Sequence, residues 1–255
     1  MTSIETSAAA PPPEEGAKMG FFARLFGIYF EPKKTFGDVD RKGSWLGILV
    51  LESLVFMGAA YALTTRMDHE TYMRKTFERS PFTKNMPAER KEEMIARSGS
   101  FQRYSPMIFA PVGVLIGYLV IATALMVIFI LMGVSIKFKK SLAVTAWGIG
   151  PPAVLLMLLA TVFILVRDPD TLDIFNLPNN VASNPSMAVS DQEHPVLHSL
   201  LGSIDIFSAW TICLLAIGYS TVSRGRLTAG KAAVGILIAW AIYVAGKLGV
   251  TAVFS

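Results

Sequence analysis

Residues 106–132 read PMIFAPVGVLIGYLVIATALMVIFILM, with no charged side chain anywhere in the run. About 20 apolar residues in a helix cross the hydrocarbon core of a bilayer, so this stretch is long enough to span it unaided. Four further apolar runs lie at about 45–65, 141–166, 203–222 and 231–254, each bounded by charged segments. The expected fold class is all-α: a polytopic membrane bundle of five transmembrane helices filling residues 45–255.

Composition agrees. The 255 residues are 53% hydrophobic and only 16% charged, where a soluble domain carries about 25% charged residues. Mean hydropathy is +0.50. The net charge of +4 is spread among loops. It forms no stripe suited to nucleic acid, and it suits contact with anionic lipid beside the membrane. Cys213 is the only cysteine, which excludes a disulfide framework and a Cys-based zinc site within one chain.

Residues 1–18 hold alanine and proline runs, Glu14 and Glu15, with no basic residue before Lys18. A cleavable signal needs a basic start and an apolar stretch, so the expectation is a disordered tail. Residues 19–44 begin with MGFFARLFGIYF, whose one charge is Arg24. This run is too short to span and is expected as an interfacial helix, with burial against the bundle as the alternative. Glu31-Pro32 ends it, because proline disfavours helical geometry in the residue before it. Lys33 and Lys34 are then placed to meet lipid phosphates.

The polar insertion 66–105 is expected to hold two short helices separated at Ser80-Pro81. Pro87 suits the first turn of the second and Gly99 its C-terminal cap. Glu89, Glu92 and Glu93 near its start and Arg97 near its end match the helix dipole and read as a solvated face. The acidic loop 167–202 carries Asp168-Pro169-Asp170, Pro178-Asn179-Asn180 and Asn184-Pro185. These are turn signals, and mostly irregular structure is expected.

Lysine and arginine in short loops set orientation. The loop after the second span carries Lys137, Lys139 and Lys140, and that after the fourth carries Arg224, Arg226 and Lys231. The loop after the third has Arg167 alone against five acids. Together they put the N-terminus inside and the C-terminus outside. The insertion 66–105, rich in both signs of charge, argues the other way. Lys139, Lys140, Arg224 and Arg226 are further candidates for headgroup contact.

Three ionisable residues lie within or at the edges of spans: Glu52, Asp205 and Lys247. Such charges are costly in hydrocarbon and usually face protein or water. Asp205 and Lys247 fall at similar depth, which suggests an ion pair between the last two spans. The plainer alternative has Asp205 capping a helix and Lys247 reaching the surface. Glu52 has no evident partner; a proton or ion route competes with a simple hydrogen bond at a helix interface. Gly113 and Gly117 in the second span, and Gly235, Gly246 and Gly249 in the fifth, read as close-packing positions. Pro151 and Pro152 are expected to kink or break the start of the third helix.

His194 and His198, four apart, would share a helix face and are weak candidates for a metal site. Pro195 and the missing glutamate of the metalloprotease motif count against it. Residues 225–232 (GRLTAGKA) imitate a P-loop, but no strand precedes them and Ala232 replaces the Ser/Thr that holds magnesium. Nucleotide binding is not expected. No Gly-x-Ser-x-Gly elbow or other catalytic constellation is present, so no enzyme activity and no cofactor are expected.

Certain stretches carry a likeness. They are the apolar lead-in ending in Pro32-Lys33-Lys34-Thr35-Phe36, the run Trp147-Gly148-Ile149-Gly150-Pro151-Pro152, and Asp205-Ile206-Phe207-Ser208-Ala209-Trp210 continuing through Gly218 and Tyr219. In this order across five spans the chain resembles the bacterial branch of the Yip1-domain family, over roughly residues 21–250. The resemblance implies a non-enzymatic five-helix membrane protein with a cytoplasmic N-terminus, in the inner membrane of a bacterium. Its motif or packing positions would be Pro32, Phe36, Pro151, Pro152, Asp205, Trp210 and Gly218. Eukaryotic relatives act with Rab GTPases in vesicle trafficking, a role that does not carry over to a bacterial chain. The expected function is a membrane scaffold or adaptor that packs against lipids, other membrane proteins or its own copies. A transporter, channel or accessory subunit using the intramembrane charges is the alternative.

Overall fold

The computed structural model describes residues 19–80, 83, 86–174, 177–191 and 193–254. The expected tail 1–18 and Pro81 lie outside them. Among the described residues the chain is helical, with no strand. In order the helices are α1 Phe21–Phe30, α2 Pro32–Lys42, α3 Leu46–Arg66, α4 His69–Arg79, α5 Ala88–Arg97, α6 Ser100–Leu131, α7 Phe138–Val166, α8 Pro195–Leu201, α9 Ile206–Val222 and α10 Ala229–Phe254. Helices α3, α6, α7 and α10 are each long and apolar enough to cross a membrane. The pair α8–α9, bent by 48° at a short break, meets the same requirement taken together. The bundle thus has four to five spans plus the short apolar α1.

Helix α7 is the centre. Residues Ser141 to Gly148 are buried without interruption, so every side of this segment meets protein. It packs on α3, α6 and α9 and is touched by α1 and α2, while α10 closes against α9 and α6. Small residues make this possible: Ser141, Ala143, Thr145, Ala146 and Gly148 let neighbouring backbones approach. Where large side chains are buried here they are satisfied; the Trp147 indole N–H donates to the Ser44 carbonyl at 2.7 Å.

Chain ends of the helices gather at two poles. At one, Asp40 near the end of α2 meets Lys140 of α7 and Arg224 after α9. At the other, Lys75 of α4 donates to the carbonyls of Pro169 and Asp170, and Arg66 donates to the Arg167 carbonyl at 3.0 Å. The insertion and the acidic loop therefore cap one pole together, and the lysine- and arginine-rich loops occupy the other.

Several boundaries differ from expectation. A second helix, α2, follows the first at once: Pro32 sits at its N1 position, where a missing N–H costs nothing, and Gly43 ends it with φ of 57°. Gly99 does not cap α5, whose C-cap is Ser98; it precedes α6, where the Gln102 side chain accepts from its amide at 3.0 Å. Helix α6 therefore starts before the apolar run and carries Pro106 and Pro111 within it. Helix α7 likewise stays continuous through Pro151 and Pro152, which lie near its middle rather than its start. The acidic loop is more ordered than expected, with three 3-10 turns before α8.

Candidate functional site

The α1–α2 hairpin is fastened to the bundle by the residues that carried the family likeness. The Phe36 side chain is fully buried and occupies a notch opposite Gly218. A Cβ on Gly218 would lie 2.8 Å from Phe36 Cε1 and 2.7 Å from Val144 Cγ1, so no larger residue fits without displacement. Tyr29 completes the joint: its hydroxyl donates to the Pro151 carbonyl at 3.0 Å, and its ring lies 5.2 Å from that of Trp210. Phe36, Pro151, Trp210 and Gly218, distant in sequence, thus form one docking surface, and Pro32 starts the helix that brings Phe36 to it.

Within the hairpin, Arg24 Nε donates to Asp38 Oδ2 at 2.6 Å, with both residues almost fully buried. The Met19 amide and Arg41 add longer contacts of 3.4 and 3.3 Å. Burial by itself pushes the Asp38 carboxyl up, but the hydrogen bond and charge of Arg24, with Met19 and Arg41, hold it below the ordinary value. The other face of α1 exposes Phe22, Phe26 and Phe30, at four-residue spacing along one ridge. One face of α1 is thus buried against the bundle, and the other presents aromatics to the surroundings.

Two polar clusters lie inside the bundle. Tyr219 sits between Ser141 Oγ at 2.6 Å and Thr145 Oγ1 at 3.0 Å, while Ser141 donates to the Ala122 carbonyl at 2.7 Å. The second cluster supplies the partner that sequence did not reveal for Glu52. The Tyr118 hydroxyl of α6 donates to Glu52 Oε2. Gly150 makes room for the pair, since a Cβ there would lie 2.7 Å from the Tyr118 hydroxyl and 3.2 Å from Glu52 Oε2.

Asp205 and Lys247 do not form the expected ion pair. Each serves one end of the break between α8 and α9. Asp205 caps α9, accepting from the amides of Phe207 at 2.5 Å and Ser208 at 2.9 Å. Lys247 Nζ donates to the Ser199 carbonyl of α8 at 3.0 Å and to Ser203 Oγ at 3.1 Å. The physical reason is that an anion is stabilised at a helix N-terminus and a cation beside the carbonyls of a C-terminus. A break supplies both ends at once, and the two charges satisfy the backbone rather than each other.

The remaining candidates disperse. His198 Nδ1 lies 2.9 Å from the Val189 carbonyl, and His194 precedes α8 as its N-cap. Among the described residues no group of three or more His, Cys, Asp or Glu is placed to hold a metal. The P-loop-like segment is a connection between α9 and α10, not a loop after a strand. Lys33 and Lys34 border an open groove of about 670 Å³ shared with Ile217 and Ser220, and Lys34 pairs with Glu31 at 2.7 Å. Lys140, Arg224 and Arg226 line a separate cavity at the same pole.

This arrangement offers docking and packing surfaces: a hairpin seated on α7 and α9, and charged margins at one pole. Neither curated proteins nor solved structures give a match to the chain. A family model, described as Yip1 domain, matches residues 26–249. That interval starts within α1 and ends within α10, so it takes in the docked hairpin, the glycine–proline core of α7 and the capped break. The chain is an integral membrane protein belonging to the Yip1 domain family.

Proposed function

We propose that the protein is a non-enzymatic scaffold or adaptor of the bacterial cytoplasmic membrane, with its basic pole and N-terminus inside and its C-terminus outside. It acts by packing against lipids and against other membrane proteins or its own copies. The observation that carries this is the division among its glycines. Gly148, Gly150 and Gly218 are consumed by close contacts within the bundle, whereas Gly113 and Gly117 on α6, and Gly246 and Gly249 on α10, have nothing within 4 Å of a built Cβ. Small residues left open on a span let a helix of another chain approach closely. Cysteine placed at Gly113 or Gly117 should cross-link in native membranes to a second membrane protein or a second copy. Gly113→Ile with Gly117→Ile should abolish co-purification while leaving the fold intact; unchanged association would overturn the proposal.

One observation favours a transport reading as the second choice: Glu52 is a carboxylic residue buried inside the bundle at 5% exposure. Proteoliposome ion flux lost in Glu52→Gln would support it, and absence of flux from the wild type would dismiss it.

A further inference from the structure

Three separated segments meet at one cavity of about 160 Å³ at the basic pole, and two of them bring cations: Lys137 and Lys140 at the start of α7, and Arg224 and Arg226 after α9. The third segment, the end of α2, supplies Asp40 at its edge. That one carboxylate is divided between Lys140, which contacts Oδ1, and Arg224, 3.5 Å from Oδ2. Lys137 and Arg226 have no anionic partner among the described residues. Four positive charges around one cavity, against a single acid, repel one another, and an entering anion relieves that repulsion. The cavity also opens beside the N-terminus of α7, whose first amides lack an intrahelical acceptor.

Arg224 lies just past the end of α9, with φ of 54°, and Gly225 follows with φ of 83°. Left-handed residues at this position terminate helices, and the turn they make leads Arg224 and Arg226 past the cavity.

We propose that this cavity binds the phosphate of an anionic phospholipid, a site that rests on the lipid-contacting reading above and gives it a specific ligand. The apolar neighbours favour a lipid over a free anion. Leu131 is 82% exposed and Phe138 39%, and the two flank the α6–α7 connection, beside which acyl chains can lie. Arginine offers paired N–H groups to two phosphate oxygens, a match that lysine lacks.

The test is native mass spectrometry of the full chain in neutral detergent, incubated with equal phosphatidylglycerol and phosphatidylcholine. The wild type retains phosphatidylglycerol preferentially. Arg224→Gln with Arg226→Gln lowers that preference about tenfold, as the loss of direct charge-assisted contacts to the phosphate implies. Lys42→Gln with Lys231→Gln removes the same charge from the same pole outside the cavity and changes it less than about twofold, as screened surface charge implies. Lys137→Gln alone gives an intermediate loss and serves as the test if the double arginine variant does not fold. Equal losses in both double variants would overturn the site in favour of diffuse surface charge. Displacement of the lipid by millimolar inorganic phosphate would overturn the lipid assignment. Equal retention of both lipids by the wild type would also overturn it, without touching the scaffold proposal, which stands or falls on the Gly113 and Gly117 cross-links.

Discussion

At Asp38 a carboxylate is held below its ordinary value beside a buried arginine, and this fixes a pH dependence. A carboxyl with a lower pKa folded than unfolded contributes its full stability above the unfolded value of about 4, and loses it as pH falls through the folded value. At neutral pH, Asp38→Asn leaves Arg24 buried without a counter-charge, a loss of about 3–5 kcal/mol. The difference in melting temperature between wild type and Asp38→Asn, measured in detergent, should therefore narrow as pH drops below about 4. A constant difference across that range would contradict the pairing. Glu52 gives a second residue-scale prediction. Tyr118→Phe removes the donor facing a buried carboxyl and should cost about 1–3 kcal/mol, whereas Glu52→Gln keeps an acceptor and should cost less. Thermal unfolding of the two variants compares them directly, and the reverse order would count against the pair. Glu52 was legible as an unusual residue, because a lone acid in an apolar run stands out. Its partner was not, because a tyrosine 66 positions away leaves no local signal.

Among the elements, the hairpin α1–α2 depends on the Gly218 notch. Gly218→Ala places a methyl group against Phe36 and Val144 and should cost about 1–3 kcal/mol through overpacking. Phe36→Ala empties the same site, at about 3–5 kcal/mol. Protease accessibility of residues 31–44 should rise in both, and continued protection would contradict the docking. At the α8–α9 break, charge reversal of Asp205 and Lys247 together should be no better than the single reversals, since each charge caps its own helix end. Rescue by the double reversal would restore the ion-pair interpretation. Sequence made α2 detectable in principle, through Pro32 at N1 and Gly43 past its end, but a short polar segment between apolar runs reads more readily as a linker. The start of α6 was missed for a different reason: apolarity marks where hydrocarbon begins, while a helix cap marks where the helix begins, and Gly99 with Gln102 lies well outside the bilayer-like run. Pro151 and Pro152 signalled a break through their missing amide donors, yet α7 runs unbroken through both, in a stretch largely buried against its neighbours.

For the whole molecule, the spans were legible because hydrocarbon imposes one strong requirement, length with apolarity, on each. Their arrangement about α7 was not, since it is set by which small residues face which neighbours. The two poles follow from alternation: α2, the α6–α7 connection and the α9–α10 connection at one, the insertion and the acidic loop at the other. The broken pair α8–α9 must cross as one span for this alternation to hold. Labelling of single cysteines in a Cys213→Ser background, using a membrane-impermeant maleimide on sealed vesicles of both orientations, tests this most directly. Lys42→Cys, Lys139→Cys and Arg226→Cys should react from one side, and Lys75→Cys and Asp170→Cys only from the other. Reaction of Arg226→Cys from the same side as Asp170→Cys would show that α8–α9 does not cross, and would contradict the five-span bundle.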